Sequence, residues 1–290
     1  YGNINLAELA DSDWKTFIDY NIQDVNLLVR MEEKLRYLEL LRMLAYTGLT
    51  PMENAMGTLN IITGAAVIQA RKDNLVIPTF AKPPASGEKY EGAYVGEPER
   101  GFQDYIISFD VNSLYPNVMI SLNLSPETKV GSIETNPDGN ITLHKIKGQS
   151  NVLTKENFYK GVKDCNLSVT RAKILFSQNK KGIYPQIVDN FYKERVKIKR
   201  RMKTMRRELS TLDKDDSKRP NLQREYDRLD TKQFTIKIFI NTVYGYFGNK
   251  HAPMGDPDIS RSITLTGQAI IKESNKILTE YIRQKCDLTE

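Results

Sequence analysis

Two helical stretches joined by a short charged tip constrain this chain more than any other feature. Apolar residues keep a helical period from Tyr184 to about Leu212 and again from Leu222 to Phe247. The segment between them, Asp213-Lys214-Asp215-Asp216-Ser217-Lys218-Arg219-Pro220, is polar and closes on a proline. Such a tip joins two antiparallel helices, so the region folds as a helical hairpin. Its first arm carries Lys193, Arg195, Lys197, Lys199, Arg200, Arg201, Lys203, Arg206 and Arg207 against one acid, Glu194. The net charge of the whole chain is only +6, so this arm is where the basic excess gathers. Most of these cations are expected to be a solvated face, with some attracting a nucleic-acid backbone at long range.

The flanks read as mixed structure. Residues Asp13 to Tyr46 carry Phe17, Leu27, Leu28, Leu35, Leu38 and Leu41 at helical spacing, as one long helix or two, stopped by Thr47-Gly48-Leu49-Thr50-Pro51. A further helix is predicted over Met52 to Arg71, followed by a loop-rich connector with Pro78, Pro83, Pro84 and Gly87. Tyr105-Ile106-Ile107-Ser108-Phe109-Asp110 has no helical period and is predicted as a buried strand, with Pro116 stopping it and a helix beginning near Asn117. Turn signals between Glu127 and Lys181 predict irregular hairpins, and a last helix is predicted from about Ser262 to Lys285. The two cysteines, Cys165 and Cys286, form no CxxC pair, which argues against a disulfide framework or zinc knuckle and for a reducing interior. No apolar run approaches the ~20 residues needed to span a bilayer. The chain opens on Tyr1 rather than Met, without a signal-peptide pattern, and is expected to be cut from a longer protein.

Three groups of residues carry chemistry. In Asp110-Val111-Asn112-Ser113-Leu114-Tyr115-Pro116 a carboxylate ends an apolar run just before a sharp turn. Such a carboxylate suits Mg²⁺, which takes one or two carboxylates plus phosphate oxygens, and the following amides suit an anion. A helix-capping Asp is the plainer alternative. Lys237, Asn241 and Tyr244 are spaced by four and three, so a helix sets a cation, an amide and a ring on one face. An ordinary amphipathic helix has the same spacing. Arg195 and Lys199, four apart, are helix neighbours able to hold phosphate. A weaker pattern is Tyr20 with Asp24, a hydroxyl and a carboxylate one turn apart. Asp256-Pro257-Asp258 mimics a paired-carboxylate metal site, but Gly255 and Pro257 suit a structural turn.

Asp110 followed by Ser113-Leu114-Tyr115-Pro116 resembles the first polymerase motif of B-family DNA polymerases, and Lys-Ile-Phe-Ile-Asn-Thr-Val-Tyr-Gly at 237–245 resembles their KxxxNSxYG motif, with Thr242 for the usual Ser. Ser125-Pro126-Glu127-Thr128 resembles the T-even bacteriophage branch. The resemblance implies that Asp110 binds two catalytic Mg²⁺ ions, the second joined by the Val111 carbonyl, and that Val111, Asn112, Ser113, Leu114 and Tyr115 line the nucleotide, with Tyr115 excluding a 2′-hydroxyl. It further implies that Arg195, Lys199 and Lys237 grip the triphosphate, Lys237 counting with Asp110 as catalytic, that Asn241 supports the site, and that Tyr244 and Gly245 pack near the nascent base pair. Tyr20 and Asp24 resemble the third proofreading-exonuclease motif, Asp24 as a metal ligand, and Tyr90-Glu91-Gly92-Ala93 resembles a template-contact segment, with Tyr90 and Gly92 on DNA.

The implied fold is α+β: the helical end of an exonuclease domain (1–50), a connector (51–100), the first part of a mixed α/β palm with a hairpin insert (101–181), antiparallel two-helix fingers (182–249) and an incomplete return to the palm (250–290). The implied partners are primer-template DNA and deoxynucleoside triphosphates, with a sliding clamp engaged through other regions and no membrane; the implied setting is the cytoplasm of a bacterial host during phage replication. The family's second Asp-Thr-Asp-Ser motif, its thumb and its first exonuclease motifs do not occur in these residues, so the chain alone is expected to be inactive in both reactions. The competing reading is a non-catalytic nucleic-acid-binding module, which would bind DNA without Mg²⁺-dependent triphosphate binding.

Overall fold

The structure is a computed structural model describing residues 6–77, 92–97, 100–102, 106–145, 148, 150–213 and 215–285. It is an α+β arrangement of three long helices around a common core, with a small antiparallel sheet at one side.

The hairpin forms as its sequence requires. Helix α7, Ile183–Thr211, returns as α8, Arg219–Phe247. Along α7 the residues Ile198, Met202, Met205 and Leu209 recur at steps of four and three and are buried. At the tip the Arg219 guanidinium donates to the carbonyls of Leu209 (3.0 Å) and Leu212 (2.8 Å), satisfying acceptors that the end of α7 leaves open. Ion pairs Lys232 to Glu194 (2.6 Å) and Arg201 to Glu225 tie the arms together along their length. At the base, Tyr184 packs edge-on against Phe247, ring centroids 4.7 Å apart, in a core shared with Ile61, Ile62 and Ala66 of helix α4, Thr58–Lys72.

The amino-terminal helical region splits into α1, Leu6–Ser12, α2, Trp14–Leu35, and α3, Tyr37–Gly48. The break is Arg36, whose left-handed backbone (φ 51°) ends α2 before α3 resumes. Much of the apolar stripe on α2, including Ile22, Val25 and Leu28, is exposed. The helix predicted from Met52 starts later: Met52–Asn54 is one 3₁₀ turn and α4 begins at Thr58.

Two further expectations are corrected. Residues 106–110 form no strand among the described residues, and all are exposed; 103–105 lie outside the described residues. An apolar β-rich run becomes a strand only where another edge satisfies its backbone. None is offered here, because the sheet, ordered β3-β2-β1-β5-β4, is built from residues further along: β1 Lys129–Thr135, β2 Ile141–Lys145, β3 Ser150–Leu153, β4 Leu167–Val169 and β5 Ile174–Ser177. These form the hairpins predicted between Glu127 and Lys181. Helix α6, Lys155–Asp164, covers them through Phe158, against Ile141 and Leu175. Second, Pro116 lies inside α5, Leu114–Leu122, rather than ahead of it. It occupies the first turn, where a missing backbone N–H removes no intrahelical bond.

The last helix, α9, spans Pro257–Lys285 and also starts earlier than its apolar period suggests. The Asp256 side chain caps it, accepting from the Asp258 N–H at 3.0 Å, with Pro257 at the first helical position. Both aspartates bind Lys129 of β1: its ammonium lies 2.9 Å from Asp256 and 2.7 Å from Asp258, fixing α9 to the sheet. Asp256-Pro257-Asp258 is thus structural. Burial alone would lower the Lys129 pKa, but attraction to Asp256 and its hydrogen bonds to both aspartates outweigh it and hold the ammonium above its ordinary 10.5.

We predict that Lys129→Met lowers stability by about 2 kcal/mol at neutral pH, since it strands two carboxylates. Because the folded pKa is the raised one, the contribution of Lys129 is complete below pH 10.5 and fades as pH rises through the folded value. Urea melts at pH 7 and above pH 10.5 check this, the gap between the two proteins closing only in the alkaline set.

Candidate nucleotide and metal site

The segment Asp110 to Tyr115 turns sharply into α5. Ser113 takes a left-handed backbone (φ 53°), a conformation that costs a residue with a Cβ and clusters at functional positions. The turn is held by the Asn117 side chain, which donates to the Asn112 carbonyl at 3.0 Å, and by the Ser113 hydroxyl donating to the Asn112 side chain at 3.3 Å. Asp110 stands just before this turn, exposed, with no ion pair among the described residues. Val111 beside it is half-buried.

Tyr115, in the first turn of α5, reaches across to α8. Its ring centroid lies 4.8 Å from that of Tyr244, so two motifs distant in sequence meet side chain to side chain. Burial of the phenol raises the Tyr115 pKa, keeping it a neutral ring and hydroxyl. From Tyr244 an exposed stripe runs up α8 through Gly245, Asn241 and Lys237, while Ile236, Phe239, Ile240 and Val243 face the core. A side chain at Gly245 would meet nothing within 4 Å. Packing therefore does not require glycine there, and open space beside bare backbone suits the close approach of a ligand.

The stripe continues onto α7. Arg195 donates to the Gln233 side chain at 3.3 Å, which places it one helical turn from Lys237. Lys199 is exposed one turn further toward the tip. At about 1.5 Å rise per residue, each step is about 6 Å, so the backbone positions of Lys199, Arg195 and Lys237 span about 12 Å along the hairpin axis.

The donors at the turn suit a hard cation only in part. Among the described residues no three His, Cys, Asp or Glu side chains gather to hold a metal ion. A free carboxylate with an adjacent carbonyl, Asp110 and Val111, fits Mg²⁺, which takes one or two protein carboxylates and fills its shell with water and phosphate. Elsewhere, half-buried Tyr20 and exposed Asp24 line one groove between α1 and α2, about 340 Å³, with Leu6, Leu9 and Leu27. Tyr90 lies outside the described residues; the Gly92 carbonyl accepts a hydrogen bond from Gln268 of α9 at 2.7 Å. On the opposite side, a cleft of about 630 Å³ separates Arg42 and Tyr46 of α3 from Phe191 and Ile236 of the hairpin.

Sequence reasoning missed the residues that position this site. Asn123, 2% exposed and left-handed (φ 55°), ends α5 and joins it to the hairpin's foot. Its amide donates to the carbonyls of Ser177 (2.6 Å) and Lys180 (2.9 Å), and its oxygen accepts from the Gly182 N–H (2.8 Å). Glu127 accepts from the Ile183 N–H at 2.6 Å, a carboxylate at the positive end of α7. Gly182 is there because a Cβ would come within 2.6 Å of the Ser125 Cβ. Ser125-Pro126-Glu127-Thr128 stands out in the sequence by its resemblance, but nothing local says what Asn123 and Glu127 reach.

A family model described as DNA polymerase family B matches residues 60–290. The chain is 29% identical over 285 residues to the DNA polymerase delta catalytic subunit of Dictyostelium discoideum, covering 95% of this chain and 22% of that protein. It is 22% identical over 318 residues to the DNA-directed DNA polymerase of Escherichia phage RB69, covering 97% and 33% respectively. The chain thus spans between about a fifth and a third of these relatives. The solved structure of the family B DNA polymerase from the hyperthermophilic archaeon Pyrobaculum calidifontis shares its fold, with TM-score 0.58 and 23% identity over 91% of this chain and 29% of that one. Eukaryotic, archaeal and phage proteins all match, so the similarity is not particular to the T-even branch.

Asn123→Ala is predicted to cost about 2–4 kcal/mol, since it leaves the buried Gly182 N–H and the part-buried carbonyls of Ser177 and Lys180 without partners and puts Ala in a left-handed backbone. Equilibrium denaturation checks it; a loss under about 1 kcal/mol would mean that water replaces the clamp.

Proposed function

Because the chain belongs to DNA polymerase family B, we propose that it carries the nucleotide-binding face of a template-directed DNA polymerase that adds deoxynucleotides to a primer 3′-hydroxyl. The observation that carries this reading is the contact of Tyr115 with Tyr244, which joins the turn bearing exposed Asp110 to the helix bearing exposed Asn241 and Lys237. In this reading α7 and α8 are the fingers, residues 101–181 and 250–290 are palm, 51–100 is the connector and 1–50 ends a proofreading exonuclease.

Each side chain then has one task. Arg195, Lys199 and Lys237 bind successive phosphates of the incoming triphosphate, and Arg195 is kept in place by Gln233. Asn241 supports the site between phosphate and base, and Tyr244 with Gly245 flanks the nascent base pair. The Tyr115 ring lies under the sugar and leaves no room for a 2′-hydroxyl. Asn112, Ser113 and Leu114 set the turn. Asp110 and the Val111 carbonyl are the groups that would hold Mg²⁺. When bound, Mg²⁺ neutralises triphosphate charge and favours the ionised primer hydroxyl. Tyr20 and Asp24 serve exonucleolytic removal of misplaced nucleotides, while Tyr90 and Gly92 contact template. A phage replicative setting rests on Ser125-Pro126-Glu127-Thr128 alone, since the similarity extends equally to eukaryotic and archaeal enzymes.

Primer extension by the full-length native protein tests the assignment. Asp110→Asn is expected to abolish extension while primer-template affinity stays intact; synthesis surviving at wild-type rates would sink the reading. Lys237→Ala should raise the triphosphate KM by about 10–100-fold, the equivalent of one charge-assisted hydrogen bond. Tyr115→Ala should admit ribonucleotides, and an unaltered sugar preference would remove it from the gate role.

A further inference from the structure

The Tyr115 ring has a second neighbour that the polymerase reading does not use. Gly267, buried in α9, lies against one edge of it: a Cβ there would stand 2.9 Å from Tyr115 Cε1, 3.4 Å from Cδ1 and 3.5 Å from Leu114 Cδ2. With Tyr244 as its other neighbour, the half-buried ring is slotted between α8 and α9. Gly267 has ordinary helical backbone, so no unusual φ calls for glycine. Glycine inside a helix costs about 0.5–1 kcal/mol relative to alanine. The approach of the ring is what the residue serves.

The neighbouring turn reinforces this. Gln268, 9% exposed, donates to the Gly92 carbonyl at 2.7 Å, and the Lys272 ammonium sits 4.6 Å from the Tyr94 ring centre. Residues Ser260, Ser262 and Thr264 upstream are fully buried, and the Ser262 hydroxyl lies 3.0 Å from that of Thr170, so this part of α9 cannot easily yield. One stiff stretch of helix thus sets both the Tyr115 ring and the Gly92 segment.

We infer that Gly267 is a positioning residue for sugar selection: the absence of its side chain fixes how deeply the Tyr115 ring sits beneath the nucleotide. The inference rests on Tyr115 being the sugar gate. A methyl group at Gly267 pushes the ring off α9. Tyr244 blocks one direction, so the ring moves toward the nucleotide and crowds the sugar. The effect therefore falls on nucleotide binding, not on folding or DNA affinity.

The experiment is a double-mutant cycle in the full-length native protein, reading KM and kcat for deoxy- and ribonucleoside triphosphates, DNA affinity and melting temperature. Gly267→Ala is expected to raise the deoxynucleotide KM about tenfold with kcat and DNA affinity little changed, and to lower ribonucleotide insertion at least as much. In a Tyr115→Ala background the same substitution is expected to change the KM less than twofold, because the ring it strikes is gone. Equal effects in both backgrounds, or none in either, overturn the inference. Should Gly267→Ala fail to fold beside the native Tyr115, the comparison moves to Tyr115→Leu, whose shorter side chain clears the methyl. There a KM matching that of Tyr115→Leu alone supports the contact, and a further rise or a second folding failure overturns it. The gate reading fails separately, if Tyr115→Ala alone leaves the deoxy-to-ribo ratio unchanged.

Discussion

The joint between α5 and α7 is the constraint on which the rest of the structure depends. A single buried amide, Asn123, reaches three backbone groups in the segment leading into the hairpin, and Glu127 caps the hairpin's first turn. A buried polar group is tolerable only when its hydrogen bonds are made, so the arrangement has few alternatives. It fixes where α7 begins relative to where α5 ends. Since α5 is only nine residues long, it also fixes the distance from the hairpin's foot to the turn carrying Asp110.

From that fixed point the site is laid out by helix geometry. The arms of the hairpin are locked in register by Lys232 with Glu194 and Arg201 with Glu225, and the register decides which cations share a face. Tyr115 then closes the layout at its lower end by touching both returning helices. Charge, ring and carboxylate come from three segments, yet their spacing follows from two helix periods and one clamp.

Much of this was legible in the sequence, and for a physical reason. Helical period is a local property, so the hairpin arms, the break near Gly48 and the face shared by Lys237, Asn241 and Tyr244 could be read directly. Properties needing a distant partner could not. Ile106 to Phe109 have strand composition, but strands exist by pairing, and no described strand lies beside them. Pro116 reads as a stop only if one overlooks that the first helical turn needs no N–H there. The start of α9 is written locally in Asp256 and Pro257, but what the two aspartates bind, Lys129 more than a hundred residues away in β1, is not. Gly267 looks like an unremarked weak point in a helix until the ring against it is seen.

The cleft between α3 and the hairpin changes how the clamp at Asn123 works mechanically. A rod held at one end with space along its flank is a lever. Helix α7 has 29 residues, about 44 Å at 1.5 Å rise each, and Arg195 lies about 18 Å from the foot. A tilt of about 10° about the clamp would carry the tip some 7–8 Å but Arg195 only about 3 Å. That smaller travel is about the length of one hydrogen bond, enough to make or break a contact such as that of Arg195 with Gln233. The 630 Å³ cleft beside Phe191 and Ile236 lies on the α3 side of that lever, next to the core that holds its foot.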